Sequence, residues 1–133
     1  MKSLFGIPSL SIFLSALWLA EAKWSGDCRD AHLVDNRYLT ASCPREVQGG
    51  VVLACTRVDL NNCYINDMGM LKPRLFGNYV KTCTDCELDG TDLTCRCAVA
   101  NLGLCFTSSV NTDFRIGLVN GRLSCYGIID EDC

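Results

Sequence analysis

The sequence has few of the features that identify an enzyme. It contains one histidine, His32, and it has no glycine-rich phosphate loop, no G-x-S-x-G motif and no H-E-x-x-H motif. His32 precedes Leu33 in a predicted strand, where a surface histidine is far more common than a general base. The acidic residues are numerous, but none forms an identifiable pair of the kind that glycosidases use. We therefore expect no enzymatic activity.

Long apolar segments and charge clusters are also scarce. The only long apolar run, Leu4 to Leu19, follows Met1-Lys2 and precedes an A-x-A site ending at Ala22. This pattern is typical of a signal peptide covering residues 1–22, so we expect a secreted mature chain of residues 23–133 without a membrane anchor. The formal net charge is only −3 and no basic patch stands out, which argues against nucleic-acid and anionic-membrane partners.

No amphipathic helix is visible, and the mature chain alternates short strands with turns. Asn120-Gly121 is a strong hairpin signal, and glycines also mark turns at Gly49-Gly50, Asp67–Gly69 and Asp89-Gly90. The segments 59–66 and 113–118 can each hold a single helical turn. The fold class is therefore all-β. The predicted strands are Tyr38–Cys43, Val51–Leu60, Tyr79–Thr82, Leu93–Val99, Phe106–Val110 and Arg122–Ile128.

An internal repeat organises these strands. The stretch Val58–Leu71 matches Val110–Leu123, 52 residues further on, with Asp59 answered by Asn111 and Asn61 by Asp113. The flanking residues Cys28, Leu39 and Cys43 are echoed by Cys83, Leu93 and Cys97. We interpret the chain as one domain made of two divergent copies, about 27–79 and 80–133, which form a pseudosymmetric pair of small sheets.

Eleven cysteines, all after residue 22, indicate a disulfide-stabilised fold. Cys28–Cys43 and Cys83–Cys97 bracket equivalent hairpins, so the repeat predicts both bridges. Cys86 and Cys95 can pair with each other or with Cys63 and Cys125. The odd total leaves one thiol over, and we expect it to be Cys133. A four-cysteine zinc site at Cys83, Cys86, Cys95 and Cys97 is the weaker alternative, since export favours disulfides; we expect no metal and no cofactor.

The repeated motif is similar to that of the cyanovirin-N homology (CVNH) domain family, notably its secreted, cysteine-rich fungal members. The residues that carry the resemblance are Val58–Asn61, Asn66, Gly69 and Leu71, their counterparts from Val110 to Leu123, Asn78-Tyr79 before Cys83, and the hairpin cysteines. The resemblance covers about residues 27–125. It implies two β halves that exchange strands, each with a metal-independent site for α1,2-linked mannose.

The resemblance also implies two sets of sugar-contacting residues. The first set is Asn66, Asn78 and Thr82, with Asn101 as the first polar residue after Ala98-Val99-Ala100. The second set has the polar residues Asp27, Glu46 and Asn120, together with the non-polar contact positions Pro44, Leu118 and Val119. The chain departs from the family at Ile65, Met68 and Lys81, where acids are common. Asn66 and Asn120 also lie in predicted turns, where asparagine is favoured for backbone reasons.

Two functions follow from these observations. The first is a secreted lectin for high-mannose glycans or glycoproteins. The second is a secreted interaction protein that keeps the scaffold without sugar binding and uses an apolar surface at Met68, Ala98, Val99 and Ala100. The linker Lys72–Asn78 contains Pro73, so the chain is expected to be a monomer or a strand-swapped dimer.

Overall fold

The structure is a computed structural model that describes residues 23–130 and 132–133, so the predicted signal peptide lies outside it. The described residues form antiparallel strands and three short 3₁₀ turns, and none of their helices is long and apolar enough to cross a membrane. The strands are β1 (Arg29–Val34), β2 (Tyr38–Val47), β3 (Gly50–Asp59), β4 (Tyr64–Asp67), β5 (Met70–Pro73), β6 (Cys83–Asp89), β7 (Asp92–Val99), β8 (Leu104–Asn111), β9 (Gly117–Val119), β10 (Arg122–Cys125) and β11 (Ile128–Ile129).

These strands form four small sheets, ordered β1-β2-β3, β4-β5, β6-β7-β8 and β9-β10-β11 along their hydrogen-bonded edges. The β4-β5 hairpin of the first repeat packs on β7 and β8 of the second, while β10 of the second repeat packs on β3 of the first. Each half of the molecule therefore contains strands of both repeats. The prediction of an all-β, pseudosymmetric pair of halves is confirmed.

The repeated motif builds the same local structure twice. The Asp59 carboxylate accepts a hydrogen bond from the Asn61 amide (3.0 Å) and caps the 3₁₀ turn Leu60–Asn62. Asn111 caps the turn Thr112–Phe114 in the same way, through the Asp113 amide (2.9 Å). An aspartate or asparagine suits this position because its side-chain oxygen reaches the backbone two residues on. The first turn lies inside the predicted segment 59–66, and the second begins one residue before the predicted segment 113–118.

The predicted strand Tyr79–Thr82 is wrong: Tyr79–Lys81 is a 3₁₀ turn. Asn78 before it adopts a left-handed conformation (φ 58°), which turns the chain instead of extending it. Tyr79 is fully buried, and its hydroxyl donates to the Asn36 carbonyl at 2.6 Å. An aromatic residue followed by Val80 resembles a strand locally, but here the aromatic ring serves as a core anchor.

The core is formed by side chains from both repeats. Trp24 is 2% exposed, and its indole Nε1 donates to Thr112 Oγ1 at 3.0 Å, which fixes the beginning of the described chain to the third 3₁₀ turn. The Ser25 amide donates to the Asp113 carboxylate at 3.1 Å and strengthens the same connection. The other large buried side chains are Leu39, Val58, Leu60, Tyr64, Tyr79, Leu93, Ile116 and Leu123.

Five disulfides reinforce this core. Cys28–Cys43, Cys83–Cys97 and Cys86–Cys95 lie within hairpins, whereas Cys63–Cys125 and Cys55–Cys133 join the two repeats. The four cysteines of the alternative zinc site are therefore consumed in two bridges. The expectation that Cys133 is unpaired is wrong, and the free thiol among the described residues is the exposed Cys105 on β8.

Ion pairs with arginines of β2 and β3 hold the end of the chain beside Cys55. Asp130, Asp132 and Cys133, here called the C-terminal strap, lie along β3, where Asp132 forms an isolated bridge with Thr56. Asp130 pairs with Arg57 (3.1 Å). Asp132 pairs with Arg45 of β2, and the hydrogen bond from this guanidinium lowers the pKa of the Asp132 carboxyl below its usual value. These contacts bring Cys133 to Cys55.

Candidate functional site

An open cleft of about 510 Å³ lies between β2 and the β9-β10 hairpin. Three of its lining residues have polar side chains that reach solvent, and the others provide a non-polar surface and close backbone packing. The lining residues are Asp27, Pro44, Glu46, Leu118, Asn120 and Gly121. The cleft therefore combines carboxylate and amide groups with a small apolar surface.

The β9-β10 wall owes its position to its two-residue turn. Val119 is paired with Arg122, and Asn120 and Gly121 between them both have positive φ (46° and 73°), as the Asn-Gly sequence predicts for a tight hairpin. A Cβ atom on Gly121 would lie 2.3 Å from the Pro44 carbonyl oxygen. Glycine is therefore needed twice here, for the backbone conformation and for direct packing of the hairpin on β2.

The opposite wall comes from one face of β2. Pro44 and Glu46 are two residues apart in an extended strand, so their side chains lie on the same face. Asp27 completes the cleft from the turn that begins at Trp24, where the Asp27 amide donates to the Trp24 carbonyl at 3.2 Å. Cys28, the next residue, is bridged to Cys43, the neighbour of Pro44, and this bridge holds Asp27 beside β2.

These groups suit the binding of a polyhydroxylated ligand. Carboxylate and amide oxygens accept hydrogen bonds from hydroxyls, and the Asn120 amide nitrogen donates them. Pro44 and Leu118, both half-buried, offer apolar surface to the carbon face of such a ligand.

The first predicted set of contact residues lies in the other half of the molecule, and there the polar groups bind one another. Asn66 Nδ2 donates to Thr82 Oγ1 and to the Ala98 carbonyl, both at 2.8 Å, and Asn66 Oδ1 accepts from the Gly69 amide at 2.8 Å. Both donor hydrogens of the amide and its oxygen are thus used within the protein. Asn66 holds the tip of the β4-β5 hairpin against β7.

Asn78 and Asn101 complete the description of this set. Asn78 lies near Asn66, because it forms an isolated bridge with Ile65, and its Oδ1 accepts from Asn61 Nδ2 at 2.9 Å. Asn101 is an exposed residue with φ 66° in the turn between β7 and β8. The structure therefore groups Asn66, Thr82 and Asn78 and places no hydrogen bond between Asn101 and the rest.

The polar residues of the second predicted set are brought together around the cleft. Asp27, Glu46 and Asn120 all line the cleft, although they are far apart in sequence. Gly121 is a lining residue that the sequence analysis did not assign to the site. The signal that could have identified it is its place beside Asn120 in the predicted hairpin turn. The lone histidine, His32, is exposed on β1, with Nδ1 3.1 Å from the Asp30 carbonyl oxygen.

Comparison with known structures identifies the fold. TbCVNH of T. borchii is 30% identical, with a TM-score of 0.63 over 77% of this chain and 98% of that chain. A designed cyanovirin-N homolog lectin, LKAMG, is 26% identical, with a TM-score of 0.66 over 77% and 98%. A MoCVNH3 variant solved in complex with (N-GlcNAc)4 is 21% identical, with a TM-score of 0.66 over 77% and 95%.

A search of curated proteins gave no match. The family model of the CVNH domain matches residues 24–124, which is most of the described chain. The matched range runs from buried Trp24 to Ser124 in β10 and includes the first repeat, most of the second and every residue that lines the cleft. The chain therefore belongs to the CVNH domain family.

Proposed function

We propose that this protein is a secreted lectin that binds mannose-rich glycans in the cleft between β2 and the β9-β10 hairpin. The observation that carries the proposal is the convergence of Asp27, Glu46 and Asn120 on one cleft with a small apolar surface. The CVNH fold, which a designed lectin shares, supports a binding function rather than an enzymatic one. Five disulfides in so short a chain, with the predicted signal peptide, support export.

The strength of such a site is modest. A hydrogen bond contributes about 1 kcal/mol net between neutral groups and about 1.5–3 kcal/mol to a carboxylate, and the cost of association offsets much of this, so three polar side chains give weak binding to one sugar unit. The group of Asn66, Asn78 and Thr82 is the candidate second site, and we assign it the weaker affinity because Asn66 is already fully hydrogen-bonded. Two sites on one molecule would raise the avidity for branched glycans.

A nuclear magnetic resonance titration of the oxidised chain, residues 23–133, tests the proposal. The ligands are α1,2-dimannoside and (N-GlcNAc)4, the second because the MoCVNH3 variant was solved with it. We expect saturable amide shifts clustered at Glu46, Asn120 and Gly121 without added metal, with the dimannoside binding more tightly. Tighter binding of (N-GlcNAc)4 than of the dimannoside in the same cleft would support a lectin but contradict its preference for mannose-rich glycans.

A pair of variants that make the same charge change at two positions locates the site. Glu46→Gln changes the cleft carboxylate to an amide of the same size, whereas Glu87→Gln makes the same change on exposed β6, outside the cleft. We expect about fivefold weaker binding in the first variant and unchanged binding in the second, because replacing a hydrogen bond to a charged group (about 1.5–3 kcal/mol) by one to a neutral amide (about 0.5–1.5 kcal/mol) costs about 1 kcal/mol. No shifts up to millimolar sugar would contradict the proposed function.

One observation favours the alternative of an interaction protein. Of the predicted apolar surface, Met68 is exposed but Val99 is buried. The exposed apolar side chains lie instead at the β4-β5 tip and at the beginning of β8: Met68 57%, Met70 55%, Leu104 50% and Phe106 49%. They belong to one surface, because a Cβ on Gly69 would lie 2.8 Å from Phe106 Cδ2. If both sugars fail to bind, a protein partner captured by the wild type and by Met70→Leu but lost with Met70→Glu would establish this second function.

A further inference from the structure

We propose that Asp132 positions the two walls of the cleft by binding the arginine next to each of them, and so sets the geometry in which a glycan binds. This inference rests on the proposed function, since it assigns the C-terminal strap a role in that same site. The strap itself contributes no residue to the cleft lining. Its effect on binding must therefore be exerted through the walls.

The walls belong to two different sheets. Pro44 and Glu46 lie on β2 of the sheet β1-β2-β3, and Leu118 and the Asn120-Gly121 turn lie on β9-β10 of the sheet β9-β10-β11. No backbone ladder joins these two sheets among the described strands. The width of the cleft therefore depends on the packing of Gly121 on β2 and on the side-chain contacts that hold one sheet against the other.

Asp132 makes such contacts with the direct neighbours of both walls. Arg45 lies between Pro44 and Glu46 on β2, so its side chain leaves the opposite face of the strand from theirs. Its Nη1 and Nη2 donate to the two carboxylate oxygens of Asp132 at 3.0 and 2.9 Å, a bidentate geometry. Arg122, which directly follows Gly121, has Nη2 3.7 Å from Asp132 Oδ2. One carboxylate thus connects the two walls without entering the cleft.

The strap is fixed strongly enough to serve as this support. Cys133 is bridged to Cys55 of β3, and Asp132 itself is paired with Thr56 of the same strand. A separate buried contact, from the Leu123 amide to Thr56 Oγ1 at 3.1 Å, also joins β10 to β3. Because that contact and the bridge remain when the carboxylate is neutralised, an Asp132 variant is expected to fold and to differ mainly in how the walls are spaced.

The test compares Asp132→Asn with Asp130→Asn. Both variants lose one negative charge from the strap, but the Asp130 partner, Arg57, neither lines the cleft nor adjoins a lining residue. Asp132→Glu restores the carboxylate. In titrations with α1,2-dimannoside and (N-GlcNAc)4, we expect about threefold weaker binding for Asp132→Asn and values within about twofold of wild type for the other two, since an exposed ion pair has a modest energy.

Residual dipolar couplings of the sugar-free protein provide a second readout. They report the relative orientation of the β1-β2-β3 and β9-β10-β11 sheets, which we expect to change in Asp132→Asn and to stay fixed in Asp130→Asn. The proposal is overturned if Asp132→Asn keeps the wild-type orientation, if it binds as tightly as Asp130→Asn, or if Asp132→Glu binds no better than Asp132→Asn. If the wild type binds neither sugar, the proposed function fails and the couplings alone decide this inference.

Discussion

At the scale of single residues, two glycines in hairpin turns differ in whether glycine is needed for the backbone conformation alone or also for packing. Gly90 and Gly121 both follow a tight-turn pattern and have similar φ values, 62° and 73°. A Cβ added to Gly90 meets nothing within 4 Å, whereas one added to Gly121 meets the Pro44 carbonyl oxygen at 2.3 Å. Only Gly121 is therefore required for the contact between the β9-β10 hairpin and β2.

We expect Gly121→Ala to lower the free energy of unfolding more than Gly90→Ala does. The Gly90 variant pays only the left-handed backbone penalty of about 1 kcal/mol. The Gly121 variant adds the displacement of the hairpin from Pro44, worth about 1–3 kcal/mol more, and should also bind glycan more weakly. Chemical denaturation of both variants measures the difference, and equal losses would contradict the packing role of Gly121.

Two buried tyrosines differ in whether their hydroxyl groups have a hydrogen-bond partner. The Tyr79 hydroxyl donates to the Asn36 carbonyl at 2.6 Å, while the Tyr64 hydroxyl has no hydrogen-bond partner among the described residues. We expect Tyr79→Phe to reduce the unfolding free energy by about 1–2 kcal/mol and Tyr64→Phe to leave it nearly unchanged or raised. Denaturation curves of the two variants test this, and equal effects would show that the Asn36 contact has no energetic weight.

The same tyrosines predict an alkaline loss of stability. Burial raises the pKa of both Tyr64 and Tyr79 well above the ordinary value of 10. Above pH 10 the unfolded chain releases phenolic protons that the folded chain retains, so the unfolding free energy falls as the pH rises. We expect this fall to be smaller in Tyr64→Phe than in wild type when denaturation is measured between pH 9 and pH 11. A parallel fall in both would exclude Tyr64 as a contributor.

At the scale of elements, the β4-β5 hairpin is held on the second repeat from both of its strands, and from β5 the Leu71 amide donates to Ser108 Oγ at 2.9 Å. Asn66 links the tip of the hairpin to Thr82 and to Ala98 of β7. The family resemblance places Asn66 in a sugar site. No local pattern in the sequence shows that the Ala98 carbonyl, 32 residues away, occupies one of its donor hydrogens.

We therefore expect Asn66→Ala to lower the stability of the fold. Loss of two donated bonds and one accepted bond is expected to lower the unfolding free energy by about 1–3 kcal/mol. Glycan affinity at the cleft in the other half should not change. Asn62→Ala is the matched control, because the Asn62 side chain makes no hydrogen bond among the described residues and lies in the neighbouring 3₁₀ turn. Destabilisation of both variants to the same degree would contradict this account.

The elements that can be predicted from the sequence are those that depend on residues close together in the chain. The Asn120-Gly121 turn and the caps at Asp59 and Asn111 depend on residues within three positions, so their patterns are visible in the sequence. The Cys55–Cys133 bridge depends on Arg45 meeting Asp132, 87 residues away, which no local pattern reveals. Similarly, Asp27, Glu46 and Asn120 were named through the family resemblance, and only the exchange of hairpins between repeats brings them to one cleft.

At the scale of the whole molecule, the two bridges between repeats reinforce each other. Cys55 and Cys133 are 78 residues apart, which taken alone corresponds to about 4.5 kcal/mol on the chain-entropy model. With Cys63–Cys125 in place, however, only about eight residues on each side separate the second bridge from the first. The effective loop is then about 16 residues, which corresponds to about 3 kcal/mol.

We accordingly expect the double variant Cys55→Ser/Cys133→Ser to lose about 3 kcal/mol of unfolding free energy. The comparison is Cys86→Ser/Cys95→Ser, which opens a nine-residue separation nested within Cys83–Cys97 and should lose about 2 kcal/mol. Guanidinium denaturation of the oxidised variants measures both. A loss near 4.5 kcal/mol for the first variant would show that the bridges act independently.

The bridges between repeats also decide how the molecule would exchange between assembly states. In a strand-swapped dimer that opens at the linker Lys72–Asn78, Cys63–Cys125 and Cys55–Cys133 would each run from one chain to the other. Dilution therefore cannot convert one form into the other, because the conversion requires two disulfides to break and reform. The ratio of monomer to swapped dimer is fixed when the cysteines oxidise. It therefore depends on the conditions under which the chain folded and not on the concentration to which the protein is later diluted.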